Sequence, residues 1–459
     1  MAGIGFELRR IFKRKSMFSA IWGTIYATMT TIGPTVIFIL LLFVLKFALN
    51  FFGVSELEKL FFVSSFTYVF LVAILVSSVI NTVLSRYISD CIFEEKEDQI
   101  SASLFGVLTV GSVVSGMIYF AFCYVMYVTD HISLILVIAF YLLGILATNA
   151  YNLMTYVSAI KEYKEVTGSF LVGFLVAVCT FFLLYLNVQI LILHAIYIAL
   201  VAGFFFIDLS LIYCVVKAFG LPSKEMFYFL RYFKKYPELM VTGATYMLGF
   251  FISNIIYWNH SDMQVQISVF KTAPSYDLAM FLAIIVNLPS FVIFVVKVET
   301  VFYEKYVNYL SALNKGSYQL IEKRRKNLQN TLRMQLFFVY EVQLMITILL
   351  IYLANVIFPY IGVGTQVFNI FMILAMGVYT TICMYFTIVF LYYFEDYVHA
   401  CIVSFVYLAI ETSGAIICAY IGSPYYPLPI LISGILGWIL AFTFLRRRLA
   451  KLNGYLLCK

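Results

Sequence analysis

Residues 365–394 read TQVFNIFMILAMGVYTTICMYFTIVFLYYF, thirty positions without a charge, closed by Glu395-Asp396. A helix crosses the hydrocarbon core of a membrane in about 20 residues, whereas a barrel strand takes about 10 that alternate in polarity. This run is apolar on every face and far too long for a strand, so it reads as a transmembrane helix. The rest of the chain follows suit. Of its 459 residues 63% are hydrophobic and 12% charged, against about 45–50% and about 25% in soluble domains. Mean hydropathy is +0.98. A water-soluble fold cannot hide that much apolar surface, which excludes a soluble enzyme, a nucleic-acid binder and a disordered chain.

Apolar runs bounded by charge give twelve spans. They lie near 20–50, 60–85, 102–128, 132–158, 167–187, 190–216, 238–258, 277–297, 335–358, 365–394, 398–421 and 427–445. The fold class is therefore an all-α integral membrane protein with twelve transmembrane helices. With both termini cytoplasmic, 27 of the 30 Lys and Arg fall in cytoplasmic segments, a strong positive-inside signal. The opening residues 1–19 read as a cytoplasmic amphipathic helix, because Ile4, Leu8, Ile11 and Phe12 recur at helical spacing among Arg9, Arg10, Lys13, Arg14 and Lys15. A six-helix lobe over 20–216, a cytoplasmic linker over 217–237 and a second lobe over 238–445 follow, then a basic tail at 446–459. Inside the second lobe, residues 298–334 form a long cytoplasmic segment with helical periodicity and a turn at Lys315-Gly316. Two six-span halves in one orientation imply a parallel repeat.

Eight cysteines without a C-x-x-C pair and four scattered histidines imply no disulfide framework, metal site or cofactor. Charges inside spans are few. Asp208 and Glu411 lie deepest and are candidates for a transport or proton-linked role, with an ordinary interhelical hydrogen bond as the alternative. Glu341, Lys297 and Glu299 stand nearer span ends, where snorkelling explains them as well. Asp277 opens the eighth span and completes the candidate set. No Lys or Arg lies near the middle of any span, which weighs against a cavity for a lipid pyrophosphate. The chain instead has 46 Phe and 36 Tyr. Most Tyr suit interfacial belts, while Tyr26, Tyr151, Tyr156, Tyr246, Tyr379 and Tyr385 lie deeper, in cores or against a sugar chain. Gly33-Pro34 and Pro289 interrupt spans and are candidate hinges or static kinks. Lys323-Arg324-Arg325-Lys326 is a candidate contact for a partner or for lipid head groups. Nucleotide-binding and nucleophile signatures are absent from the sequence, so no enzyme is expected.

Several stretches resemble the PelG family of the Pel exopolysaccharide machinery. They are Met1-Ala2-Gly3-Ile4-Gly5-Phe6-Glu7-Leu8-Arg9-Arg10, Gly33-Pro34, Ser85-Arg86-Tyr87-Ile88-Ser89-Asp90, Tyr276-Asp277-Leu278-Ala279-Met280-Phe281-Leu282-Ala283, Val298-Glu299-Thr300-Val301-Phe302-Tyr303-Glu304 and Leu391-Tyr392-Tyr393-Phe394-Glu395-Asp396. The resemblance implies a member of the multidrug/oligosaccharidyl-lipid/polysaccharide exporter superfamily, with a MATE/MOP-like pair of six-helix lobes around a central cavity. It implies a polysaccharide substrate exported across the bacterial plasma membrane during biofilm formation. Implied partners are a PelF-like cytosolic glycosyltransferase and PelD- and PelE-like membrane scaffold proteins, the PelD-like one a cyclic-di-GMP receptor. Polymer export is the leading expectation. An ion-coupled antiporter of small molecules, a lipid-linked oligosaccharide flippase and a non-conducting scaffold that activates the synthase are the alternatives.

Overall fold

The computed structural model describes residues 44–457, apart from 46–47, 161–162, 188–190 and 223–224. The amphipathic helix expected at 1–19, most of the first span, Tyr26 and the Gly33-Pro34 candidate hinge lie outside the described residues. Among the described residues eleven helices are long and apolar enough to cross a membrane. They match the runs expected from the second to the twelfth.

The first five are α1 (Glu56–Phe93), α2 (Glu97–Val128), α3 (Leu134–Ile160), α4 (Tyr163–Asn187) and α5 (Ile192–Phe219). A short basic helix, α6 (Leu230–Lys235), leads into α7 (Pro237–His260). Next come strands β1 (Val265–Ile267) and β2 (Phe270–Thr272), then α8 (Pro274–Asn287) and α9 (Pro289–Ile293). A π-helical turn, Phe294–Glu299, joins α9 to α10 (Thr300–Lys315). The chain ends with α11 (Tyr318–Ile357), α12 (Thr365–Tyr393), α13 (Tyr397–Ile421), α14 (Leu428–Ala450) and α15 (Leu452–Leu457).

Two compact units share these elements. One runs through Leu248 and includes Gln264–Thr272; the other holds Gly249–Met263 and Ala273–Lys459. The changeover falls inside α7, beyond the 217–237 segment expected to divide the lobes. Each unit repeats one packing scheme. With the described spans numbered two to twelve, the fourth span (α3) packs on the second, third and sixth, and the fifth on the sixth. In the other unit the tenth (α12) packs on the eighth, ninth and twelfth, and the eleventh on the twelfth.

Local chemistry fixes the element ends. Ser55 and Glu58 form a reciprocal capping box at the start of α1. Arg86 and Asp90, one helical turn apart, pair at 3.1 Å near its end. The α12–α14 crossing is a seam of small residues. A Cβ on Gly434 would lie 2.4 Å from the Thr380 hydroxyl, and one on Gly377 2.6 Å from Ile430. Such close approach is how helices associate where water gives no hydrophobic drive.

The segment between the spans expected at 238–258 and 277–297 contains an antiparallel hairpin, with Val265 opposite Thr272 and Ile267 opposite Phe270. Phe270 is fully buried and packs edge-on to Phe61 and Tyr68. The Tyr68 hydroxyl donates to the Lys271 carbonyl at 2.8 Å. The hairpin is thereby sealed into the first unit, which a three-residue alternation could not announce.

Downstream of the eighth span the helix continues as α10, the chain turns at Gly316, and Ser317 caps α11 through the Leu320 N–H. The 40 residues of α11 span about 60 Å, roughly twice the hydrocarbon core. Its first half therefore extends past the membrane beside α10.

Candidate functional site

The second unit buries three polar clusters. Glu411 lies on α13, fully shielded from solvent. The Ser253 hydroxyl, from α7, donates to one carboxyl oxygen. The Ser433 hydroxyl, from α14, donates to the other at 2.6 Å. Tyr257 and Tyr276 stand within electrostatic reach of this carboxyl group. Among the described residues no Lys or Arg pairs with it.

Asn254, the residue after Ser253, serves a second carboxyl. Its carboxamide donates to Asp277 at 2.7 Å. The Trp258 indole N–H reaches both Asp277 oxygens at 2.9 and 3.0 Å, and the Ala273 backbone N–H adds a bond at 3.1 Å. Asp277 sits in the first turn of α8, where the helix dipole favours an anion. One turn of α7 thus contacts both acids. Tyr257 stacks tilted on Tyr426 and donates to its carbonyl at 2.9 Å. Tyr426, in the loop before α14, donates to Asp262 at 2.5 Å. Burial pushes its phenol up to about 12, and the Asp262 carboxylate adds to the shift.

The third cluster surrounds the Pro289 break. Proline has no N–H to give back to the helix. Leu288 N–H bonds the Ile285 carbonyl, and the Ser290 hydroxyl donates to the Asn287 carbonyl at 2.5 Å. Gln343 from α11 donates to the Val286 carbonyl at 3.1 Å and to the Thr347 hydroxyl at 3.1 Å. Thr347 donates to the Asn287 carboxamide oxygen at 3.2 Å, and Asn287 reaches the Ala375 carbonyl of α12 at 3.0 Å.

The remaining sequence candidates scatter. Asp208 lies in the first unit on α5 and is 5% exposed. Neither of its carboxyl oxygens has a hydrogen-bond partner among the described residues. Glu341 is exposed on α11. Lys297 and Glu299 fall in the π-helical turn. Tyr156 bonds Ser103 at 3.0 Å and Tyr379 bonds the Tyr340 carbonyl at 3.0 Å, so both are core groups.

The basic run 323–326 divides. Lys323 is exposed and Lys326 stands 3.8 Å from Glu322. Arg325 is engaged within the fold: it forks onto Glu322 at 2.6 and 2.9 Å and donates to the Leu449 and Ala450 carbonyls at 2.9 and 2.8 Å. Arg448 caps α12 in the same way, through the Phe394 carbonyl at 2.8 Å.

Ser253, Ser433, Asn254, Trp258, Gln343 and Thr347 escaped the sequence reading. Single polar residues in apolar helices are common, and their partners lie up to 158 positions away. Chemically the clusters offer hydroxyl, carboxamide, indole and carboxyl groups. Among the described residues no group of three or more His, Cys, Asp and Glu stands together to hold a metal ion.

The fold is that of solved multidrug transporters. An outward-facing multidrug resistance MATE family transporter of the MOP superfamily superposes with a TM-score of 0.67 at 12% identity, over 93% of this chain and 96% of that one. A MATE protein in complex with MaD5 gives 0.63 at 11%, over 94% and 97%. An inward-facing MATE family transporter gives 0.54 at 10%, over 87% and 92%. At these identities the likeness concerns the fold. No curated protein matches the chain. The family model described as "PelG: Putative exopolysaccharide Exporter (EPS-E)" matches residues 1–456. Family, fold and spans together make this a multi-pass transporter of the bacterial inner membrane, of a class that is not enzymatic. The chain belongs to the PelG family of exopolysaccharide exporters.

Proposed function

We propose that the chain exports a Pel-type polymer across the inner membrane as a cytosolic, PelF-like glycosyltransferase makes it, with PelD- and PelE-like proteins as membrane scaffolds. Both termini and the α10–α11 hairpin face the cytoplasm in this reading, in line with the distribution of basic residues. The observation that carries the choice of cargo is the polarity of the buried groups. Among the residues whose burial is described, no Lys or Arg is buried. Neutral and acidic groups suit sugar hydroxyls, whereas a pyrophosphate carrier calls for compensating cations. The exposed cations beside α10 supply a surface on which the synthase docks.

Co-reconstitution with the synthase in sealed liposomes tests this. Polymer protected in the lumen is the expected result. Ion flux without polymer would instead favour the antiporter reading, to which the hydroxyl-held Glu411 and the buried Asp208 lend support. Synthase activation with neither would favour the scaffold.

A further inference from the structure

A cleft of about 200 Å³ opens between α11 and α14 at the end of the second unit that carries the basic residues. Leu332, Leu336 and Phe337 line one side, Phe442 and Leu445 the other. On each helix these positions share one stripe at helical spacing. Arg333 and Arg446 belong to the same two stripes and also line the cleft.

Both arginines are exposed, and among the described residues neither makes a hydrogen bond or ion pair. Their neighbours Arg325 and Arg448 are spent on carbonyls and carboxylates of the fold. Two unspent guanidinium groups over an apolar slot need an occupant with an anionic head and an apolar body. A guanidinium matches phosphate bidentately, and the slot sits where a span meets its basic flank, at head-group depth. A zwitterionic head would bring an ammonium against the arginines.

We propose that this cleft is a specific site for one anionic glycerophospholipid, its phosphate held by Arg333 and Arg446 and part of an acyl chain lying between α11 and α14. The site holds whichever cargo the transporter carries, and its test uses neither synthase nor polymer.

The test is native mass spectrometry of the purified full-length protein titrated with phosphatidylglycerol or phosphatidylcholine of matched chains. Wild type should retain phosphatidylglycerol and release phosphatidylcholine. Arg333→Gln with Arg446→Gln should weaken retention about 30-fold. Leu336→Trp, which fills the slot and keeps both cations, should also abolish it. Arg447→Gln, one position off the stripe, should leave retention unchanged. A Tm without added lipid establishes that each variant is folded; should the double variant fail to fold, the single arginine variants and Leu336→Trp decide. Equal retention of phosphatidylcholine, or a change under threefold in the arginine variants, overturns the proposal. So does an Arg447→Gln effect as large as that of Arg446→Gln, which would mean diffuse charge attraction. Displacement by undecaprenyl phosphate or inorganic phosphate at lower concentrations than phosphatidylglycerol would overturn the phospholipid assignment.

Discussion

Gln343 of α11 donates its carboxamide N–H to the Val286 carbonyl, in the last turn of α8 before the break at Pro289. The bond joins two spans beside the bend in one of them. Interhelical hydrogen bonds in membranes average well under 1 kcal/mol, but stranding a buried carbonyl costs about 1–3 kcal/mol. Gln343→Leu should therefore destabilise the protein by about 1–3 kcal/mol. Denaturant unfolding of wild type and variant measures it.

Glu411 separates charge from hydrogen bonding. Glu411→Gln still accepts from Ser253 or Ser433, so Tm should change little and polymer secretion should persist. Glu411→Leu removes the carboxyl acceptor of two buried hydroxyls and should cost about 1–3 kcal/mol. If the Gln variant folds but abolishes secretion, the ion-coupled reading displaces passive export.

The Arg325 clasp ties the α10–α11 hairpin to the end of α14. Asn453 extends it, donating to Glu322 at 3.1 Å and accepting from Tyr309 at 2.7 Å. Lysine cannot fork onto a carboxylate and two carbonyls together. Arg325→Lys should thus behave like Arg325→Ala. Both should speed proteolysis after residue 446 and raise amide exchange in α15, with the spans unchanged.

At the α12–α14 seam, Gly434→Ala pushes a methyl against the Thr380 hydroxyl and, at 3.1 Å, the Thr381 backbone nitrogen. A rigid backbone cannot give way, so the loss should be about 1–3 kcal/mol. Gly437→Ala meets the Met384 sulfur at 2.4 Å. A thioether is adaptable, so this variant should cost less than half as much in the same thermal assay.

Hydropathy made the spans legible, because an uncharged run such as 365–394 admits one solution in lipid. Asp208 and Glu411 were legible for the same reason, as charges where charge is expensive. Ser253, Ser433 and Gln343 were not: their meaning lies in which helix they face, and one polar residue per span does not encode that. Arg325 was hidden differently. In a run of four cations each looks alike, and only the position of the α14 carboxyl end singles it out. The hairpin at 265–272 escaped because three residues a side carry too little alternation to read.

The length of α11 has a mechanical consequence. Arg325 and Gln343 ride on one unbroken helix, about 27 Å apart along its axis. An α-helix of this length behaves as a rod. A tilt or rotation imposed at the clasp reaches the stitched bend at Pro289 as a lever reaches its load. Whatever grips the hairpin holds the other end of that lever.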